Sequence, residues 1–230
     1  MKTIGLIGGM SWESSLEYYR IINEATKTKL GGLHSAKCLM YSVDFHEIEV
    51  LQHQNRWDEL TETMVNAGMR LKDGGADFIV ICTNTMHKMA DDIEKRVGLK
   101  VLHIAEVTGE KIVKQGLKKV GLLGTKFTME QDFYKKVLKE KSNIDVVIPD
   151  EDDRDIVHDV IYRELCKGII NESSKKEYMR IIDNLIKKGA EGIVLGCTEI
   201  PLLIKQEYVR VPIFDTTTIH AVSAVEYALR

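Results

Sequence analysis

One stretch of this chain repeats another. Gly189-Ala-Glu-Gly-Ile-Val-Leu-Gly-Cys-Thr-Glu199 lies without gaps over Gly75-Ala-Asp-Phe-Ile-Val-Ile-Cys-Thr-Asn-Thr85, and Lys119-Val-Gly-Leu-Leu-Gly124 echoes Thr3-Ile-Gly-Leu-Ile-Gly8. The two matches fall in the same order at offsets of 114 and 116 residues, the pattern left by an internal duplication. Short apolar runs (4–7, 36–43, 78–81, 101–104, 120–123, 146–148, 193–195 and 211–214) alternate with helical patterns such as 57–72, 130–140, 156–167 and 175–188. Runs buried on both faces, separated by amphipathic helices, predict parallel sheets covered by helices. The expected fold is therefore α/β, with two pseudo-symmetric lobes, each a parallel sheet flanked by helices, and the active site in the cleft between them. We place the lobes at residues 1–113 and 114–230, with the C-terminal helix able to pack back on the first.

Composition removes several functions. A net charge of −3 with both signs interspersed leaves no basic stripe for phosphates, so no nucleic-acid partner is expected. No apolar run reaches the roughly 18 residues that span a bilayer. The opening MKTIGLIGGMSW is too short for a signal-peptide core, which makes the cytoplasm the expected address. Cysteines at 38, 82, 166 and 197 form no CxxC pair, and no HExxH or HxxxH spacing occurs, so no metal is expected. Gly5-x-x-Gly8-Gly9 is not GxGxxG, because Ile7 takes the middle glycine position; no Walker lysine and no GxSxG elbow follow a strand either.

Ligands of open parallel sheets bind beyond the carboxyl ends of the strands. Four such ends carry polar or glycine signatures: Gly8-Gly-Met-Ser11, Thr83-Asn-Thr85, Gly124-Thr125 and Cys197-Thr-Glu199. The Thr128-x-x-Gln131 spacing fits a capping box for one of the helices that follow, and the acidic run 150–155 suits the N-terminus of the next. Within the repeat, Thr83 falls opposite Cys197 and Cys82 opposite Gly196. Two acid–base groups related by pseudo-symmetry suit inversion of a carbon centre, where a proton leaves one face and arrives on the other. The same residues would also serve as plain strand-end caps, and Cys197 as a nucleophile partnered by His87 or His103; the pattern alone leaves these readings open.

At these residues the chain resembles the aspartate/glutamate racemase family, in particular its aspartate-racemase branch. The likeness rests on Ile4-Gly-Leu-Ile-Gly-Gly-Met-Ser-Trp-Glu13, Thr83-Asn-Thr-Met-His87 and Gly196-Cys-Thr-Glu-Ile200, supported by Asp215-Thr-Thr-Thr-Ile-His220. It implies cofactor-independent inversion of a small acidic amino acid through a carbanion, in a cytosolic and commonly dimeric enzyme. The implied catalytic pair is Thr83 and Cys197, with threonine where the family has the cysteine of Cys-Asn-Thr. Neighbouring strand positions face opposite ways, so Cys82 is expected to point away from the site. Substrate would be held by the backbone at Met10 and by Gln52, Asn84, Thr85, Thr125, Thr198 and Glu199, helped by helix N-termini. Gln52 and Cys166 stand where the branch carries an Arg and a Lys for the side-chain carboxylate, which leaves aspartate against glutamate open. The resemblance also places the second-half cysteine on the L-enantiomer's α-proton. Two rivals remain: a decarboxylase or isomerase of other small acids, and an amino-acid-binding regulator in which Thr83 marks lost catalysis.

Overall fold

The computed structural model describes residues 1–230. Two compact units divide the chain: residues 1–103 with 220–230, and residues 104–219. The first contains β1 (Ile4–Gly8), α1 (Trp12–Leu30), β2 (Cys38–Ser42), α2 (Phe45–His53), α3 (Trp57–Asp73), β3 (Phe78–Ile81) and α4 (Ala90–Val97). The second contains α5 (Ile104–Lys114), β4 (Lys119–Gly124), α6 (Lys126–Glu130), α7 (Asp132–Ser142), β5 (Asp145–Val147), α8 (Glu151–Arg163), α9 (Glu172–Lys187), β6 (Gly192–Gly196), α10 (Ile200–Leu203) and β7 (Ile213–Asp215). α11 (Thr216–Ala228) starts in the second unit and finishes in the first. No helix is long and apolar enough to cross a membrane.

The sheets are parallel, in the orders β2-β1-β3 and β5-β4-β6-β7. Their registers reproduce the duplication. Ile4, Gly5, Leu6 and Ile7 pair with Phe78, Ile79, Val80 and Ile81, while Val120, Gly121, Leu122 and Leu123 pair with Gly192, Ile193, Val194 and Leu195. The acid that opens each second strand is duplicated too. Asp77 accepts from the Thr3 N–H at 2.6 Å, and Glu191 accepts from the Lys118 and Lys119 N–H groups at 2.7 and 3.1 Å. Those backbone donors hold the Glu191 carboxyl below its usual range.

Glycine at the second position of β1 and β4 has a steric cause. A Cβ on Gly5 would lie 2.8 Å from Ala76 Cβ and 3.4 Å from Leu71 Cβ; on Gly121 it would lie 2.9 Å from Ile193 Cδ1 and 3.2 Å from Leu185 Cβ. α3 and α9 thus press onto their sheets through equivalent leucines. Each fully buried Ile or Leu on these strands is worth about 1.5–3 kcal/mol relative to exposure, which explains why β1, β3 and β6 are buried along their whole length.

Four expectations are corrected locally. The 101–104 run is not a strand: only Val101 bridges, to Ile79, and Ile104 opens α5, whose buried Ile104, Thr108 and Ile112 follow helical spacing. The 36–43 run pairs with β1 only over Cys38–Ser42. The capping box on Thr128 does not form. β4 stops at Gly124, so Thr125 caps α6 by accepting the Thr128 N–H at 3.3 Å, and α7 starts at Asp132 with no side-chain cap. α8 begins at Glu151, five residues before the apolar pattern, because Glu151, Asp152 and Asp153 complement the dipole of its first turn.

Candidate active site

In the first unit the ends of β1 and β3 lie side by side, with the Cys82 N–H bonded to the Ile7 carbonyl at 2.9 Å. Gly9 turns the chain at φ +92°, where a Cβ would run into the Val43 backbone. Its N–H donates to Ser15 Oγ at 2.7 Å, and Ser11 caps α1 by accepting the Ser14 N–H at 3.3 Å. The Ser14 hydroxyl donates to the Cys82 carbonyl at 2.8 Å, tying α1 to the end of β3. Cys82 is fully buried among Ile4, Leu6, Tyr18 and Val80, and burial pushes its thiol up. Thr83 follows it, half-buried, and then come the buried Asn84 and Thr85. Gln52 is 4 % exposed on α2; its Nε2 lies 3.3 Å from Met86 Sδ and its Oε1 has no hydrogen-bond partner. Met10 packs its side chain into the core beside Ile7 and Ile48, leaving backbone for a ligand.

In the second unit the ends of β4 and β6 are adjacent, Gly124 pairing with Gly196. Thr125 and Cys197 follow these two glycines directly. Cys197 donates its S–H to Glu199 Oε2 at 3.0 Å, and the Thr198 hydroxyl donates to the same oxygen at 2.6 Å. The turn that brings them together is closed by the Ile200 N–H on the Cys197 carbonyl at 3.2 Å. Glu199 is 5 % exposed. Burial pushes the Cys197 thiol well up, and the neighbouring Glu199 charge adds to the shift. Burial therefore keeps the thiol protonated at rest, in hydrogen-bond contact with Glu199. A carboxylate only accepts hydrogen bonds, and here one oxygen of Glu199 accepts from both the Cys197 thiol and the Thr198 hydroxyl. The Thr125 hydroxyl is occupied as the α6 cap, and Cys166 packs against the apolar cluster that contains Cys197.

The register makes Thr83 and Cys197 equivalent: each lies two residues beyond the strand residue paired with Ile7 or Leu123. Cys197 finds its hydrogen-bond partner in Glu199, whereas His87 and His103 pack against each other in the first unit, ring centroids 4.8 Å apart. Sequence reasoning missed Glu199 as the thiol's partner; the Cys-x-Glu spacing at a strand end was the available signal. No group of three or more His, Cys, Asp or Glu side chains is arranged to hold a metal ion.

A family model described as Asp/Glu/hydantoin racemase matches residues 7–224. A crystal structure described as a candidate Asp/Glu racemase from Yersinia pestis is 55% identical, with a TM-score of 0.94 and all of both chains covered. That of an aspartate racemase homologue from Pyrococcus horikoshii OT3 is 36% identical with a TM-score of 0.87, again over both whole chains. Among curated proteins, the broad specificity amino-acid racemase RacX of Bacillus subtilis is 23% identical over 234 residues, 96% of each chain.

Proposed function

The chain belongs to the Asp/Glu/hydantoin racemase family, and from that premise we propose that it inverts aspartate, glutamate or both without a cofactor. Cys197 and Thr83 are the acid–base pair. The reading rests chiefly on the Cys197–Glu199 hydrogen bond at the end of β6, set at the position that the duplication matches to Thr83. Cys197 passes its proton to Glu199, the thiolate takes the α-proton of the L-enantiomer, and the Thr83 hydroxyl gives its proton to the opposite face of the carbanion. Glu199 then loses its proton to water and Thr83 regains one from water, which restores both groups. Donors aimed at the α-carboxylate stabilise the charge as it develops; Asn84, Thr85, Thr198 and the Gly9–Met10 backbone are the residues we assign to that task, with Gln52 facing the side chain. The same proposal has the enzyme work in the cytoplasm as a homodimer.

The pair is unequal, and that carries the test. A thiol ionises near pH 8.5 before its surroundings act, whereas an aliphatic hydroxyl is a far weaker acid and a poor base. L-Aspartate or L-glutamate in heavy water should gain α-deuterium faster than it inverts, because Cys197 can return a deuteron to the face it came from. The D-enantiomer should exchange slowly. Enantiomers have equal free energy, so kcat/KM for inversion is the same in both directions and the asymmetry belongs to exchange alone. Thr83→Cys should raise inversion and narrow the gap between the enantiomers, followed by NMR for deuterium and polarimetry for optical purity. Binding of aspartate with no exchange would mean a regulator, and turnover only of other small acids a decarboxylase or isomerase. Equal exchange of both enantiomers by the native chain would remove the role given to Thr83.

A further inference from the structure

Thr83 lies beyond the last paired residue of β3, so the ladder does not orient it. Its carbonyl is held instead by the His87 ring, with Nδ1 at 2.8 Å. A carbonyl only accepts, so Nδ1 carries the hydrogen and the tautomer is fixed. His87 is 2 % exposed, on the short turn Thr85–Met89, and its own N–H donates to the Asn84 carbonyl at 3.1 Å. Two further histidines wall the ring: His103 at 4.8 Å between centroids and His220 at 5.4 Å, edge to face. His220 is itself pinned at both nitrogens. Its Nε2–H donates to the Leu102 carbonyl at 2.7 Å, and its Nδ1 accepts the Tyr18 hydroxyl at 2.8 Å. Side chains from α1, α11 and the segment after the Val101 bridge thus hold one ring in one orientation, and the proposed proton transfers use none of them.

We infer that His87, braced by His103 and His220, is a positioning residue: its Nδ1–H fixes the peptide plane after Thr83 and so sets where the Thr83 hydroxyl stands. The inference rests on the racemase reading above. It explains an unusual expenditure, three buried imidazoles packed behind a residue whose hydroxyl has to meet one face of a small carbanion. It also gives the return of residues 220–230 to the first unit a part in the chemistry.

The test replaces His87 by Ala, Gln and Asn in the full chain and measures inversion and L-enantiomer deuterium exchange together. The Asn amide nitrogen sits where Nδ1 does, two bonds from Cβ, whereas that of Gln reaches the Nε2 position. His87→Ala and His87→Gln should slow inversion at least tenfold while exchange from L-aspartate or L-glutamate falls less than threefold, because Cys197 still works. His87→Asn should bring inversion back to within about threefold of native. Exchange and inversion falling in parallel in every variant, or Asn performing no better than Ala, would reduce His87 to a core residue and overturn the inference. A native chain that neither exchanges nor inverts would instead overturn the racemase reading, and the inference with it.

Discussion

Cys197→Ala should lose α-proton exchange and inversion together, by the ~10²–10⁴-fold that a general base is worth. The sulfur it removes donates to Glu199 and follows directly on a strand buried along its whole length. The substitution should leave the fold intact. Cys197 lies at the edge of a large apolar cluster that includes Leu123, Tyr178, Ile193 and Leu195, and alanine keeps its Cβ. Cys82→Ala is the matched control. That thiol is fully buried in a different cluster, and burial holds it protonated, so the variant should keep most of its exchange and inversion. The measurement is α-deuterium by NMR with circular dichroism for the fold. A Cys197→Ala enzyme within tenfold of native would show that another base abstracts the proton. A folded but inactive Cys82→Ala enzyme would place the acid–base group of the first unit at Cys82, one residue before Thr83.

That the two cysteines can be told apart at all follows from the repeat. The ungapped alignment puts Thr83 opposite Cys197, and the strand registers make the same assignment residue by residue, because side chains that alternate faces allow no slip of one position. The glycines at 5 and 121 and the acids at 77 and 191 were visible for the same reason: a duplicated steric or hydrogen-bonding need leaves a duplicated residue. What was not legible depends on turns and on distance in the chain. The contact between Glu199 and the Cys197 thiol needs the tight turn closed by the Ile200 N–H, and three residues of sequence do not declare such a turn. Thr125 rather than Thr128 caps α6 because β4 ends at Gly124, a boundary that an apolar run leaves uncertain by a residue or two. His87, His103 and His220 share no local pattern: His87 meets His103 within residues 1–103, sixteen positions along the chain, and His220 joins them only through the return of α11 to the first unit.

Those histidines should make the protein acid-labile well above the range where carboxylates protonate. Burial is the main cause for all three: it lowers His103 to about 4, His220 to about 3, and His87 well below its usual value, the last helped by its two imidazole neighbours. Unfolded, each would titrate near 6.5. Below that pH the unfolded chain binds protons that the folded chain refuses, so stability is whole above about pH 6.5 and falls as pH drops toward the folded-state values. One pH unit is worth about 1.4 kcal/mol for each such group. At pH 5 the loss is therefore about 2 kcal/mol for each of His103 and His220 and about 4 kcal/mol for the two, with His87 adding in the same direction, against the roughly 5–15 kcal/mol that is the whole stability of a typical domain. The carboxyls held low by salt bridges, such as Glu62 with Arg96 and Asp150 with Lys188, add their losses only at more acid pH. Urea midpoints taken by circular dichroism at pH 7.5, 6.0 and 5.0 should fall at each step, most steeply between the last two. His103→Gln, which removes one titrating ring and one neighbour that holds His87 low, should flatten that slope even where it lowers the midpoint at pH 7.5. Midpoints that stay level from pH 7.5 to 5.0 would mean that the folded cluster accepts a proton as readily as the unfolded chain does, and that the rings are less shielded from water than their packing indicates.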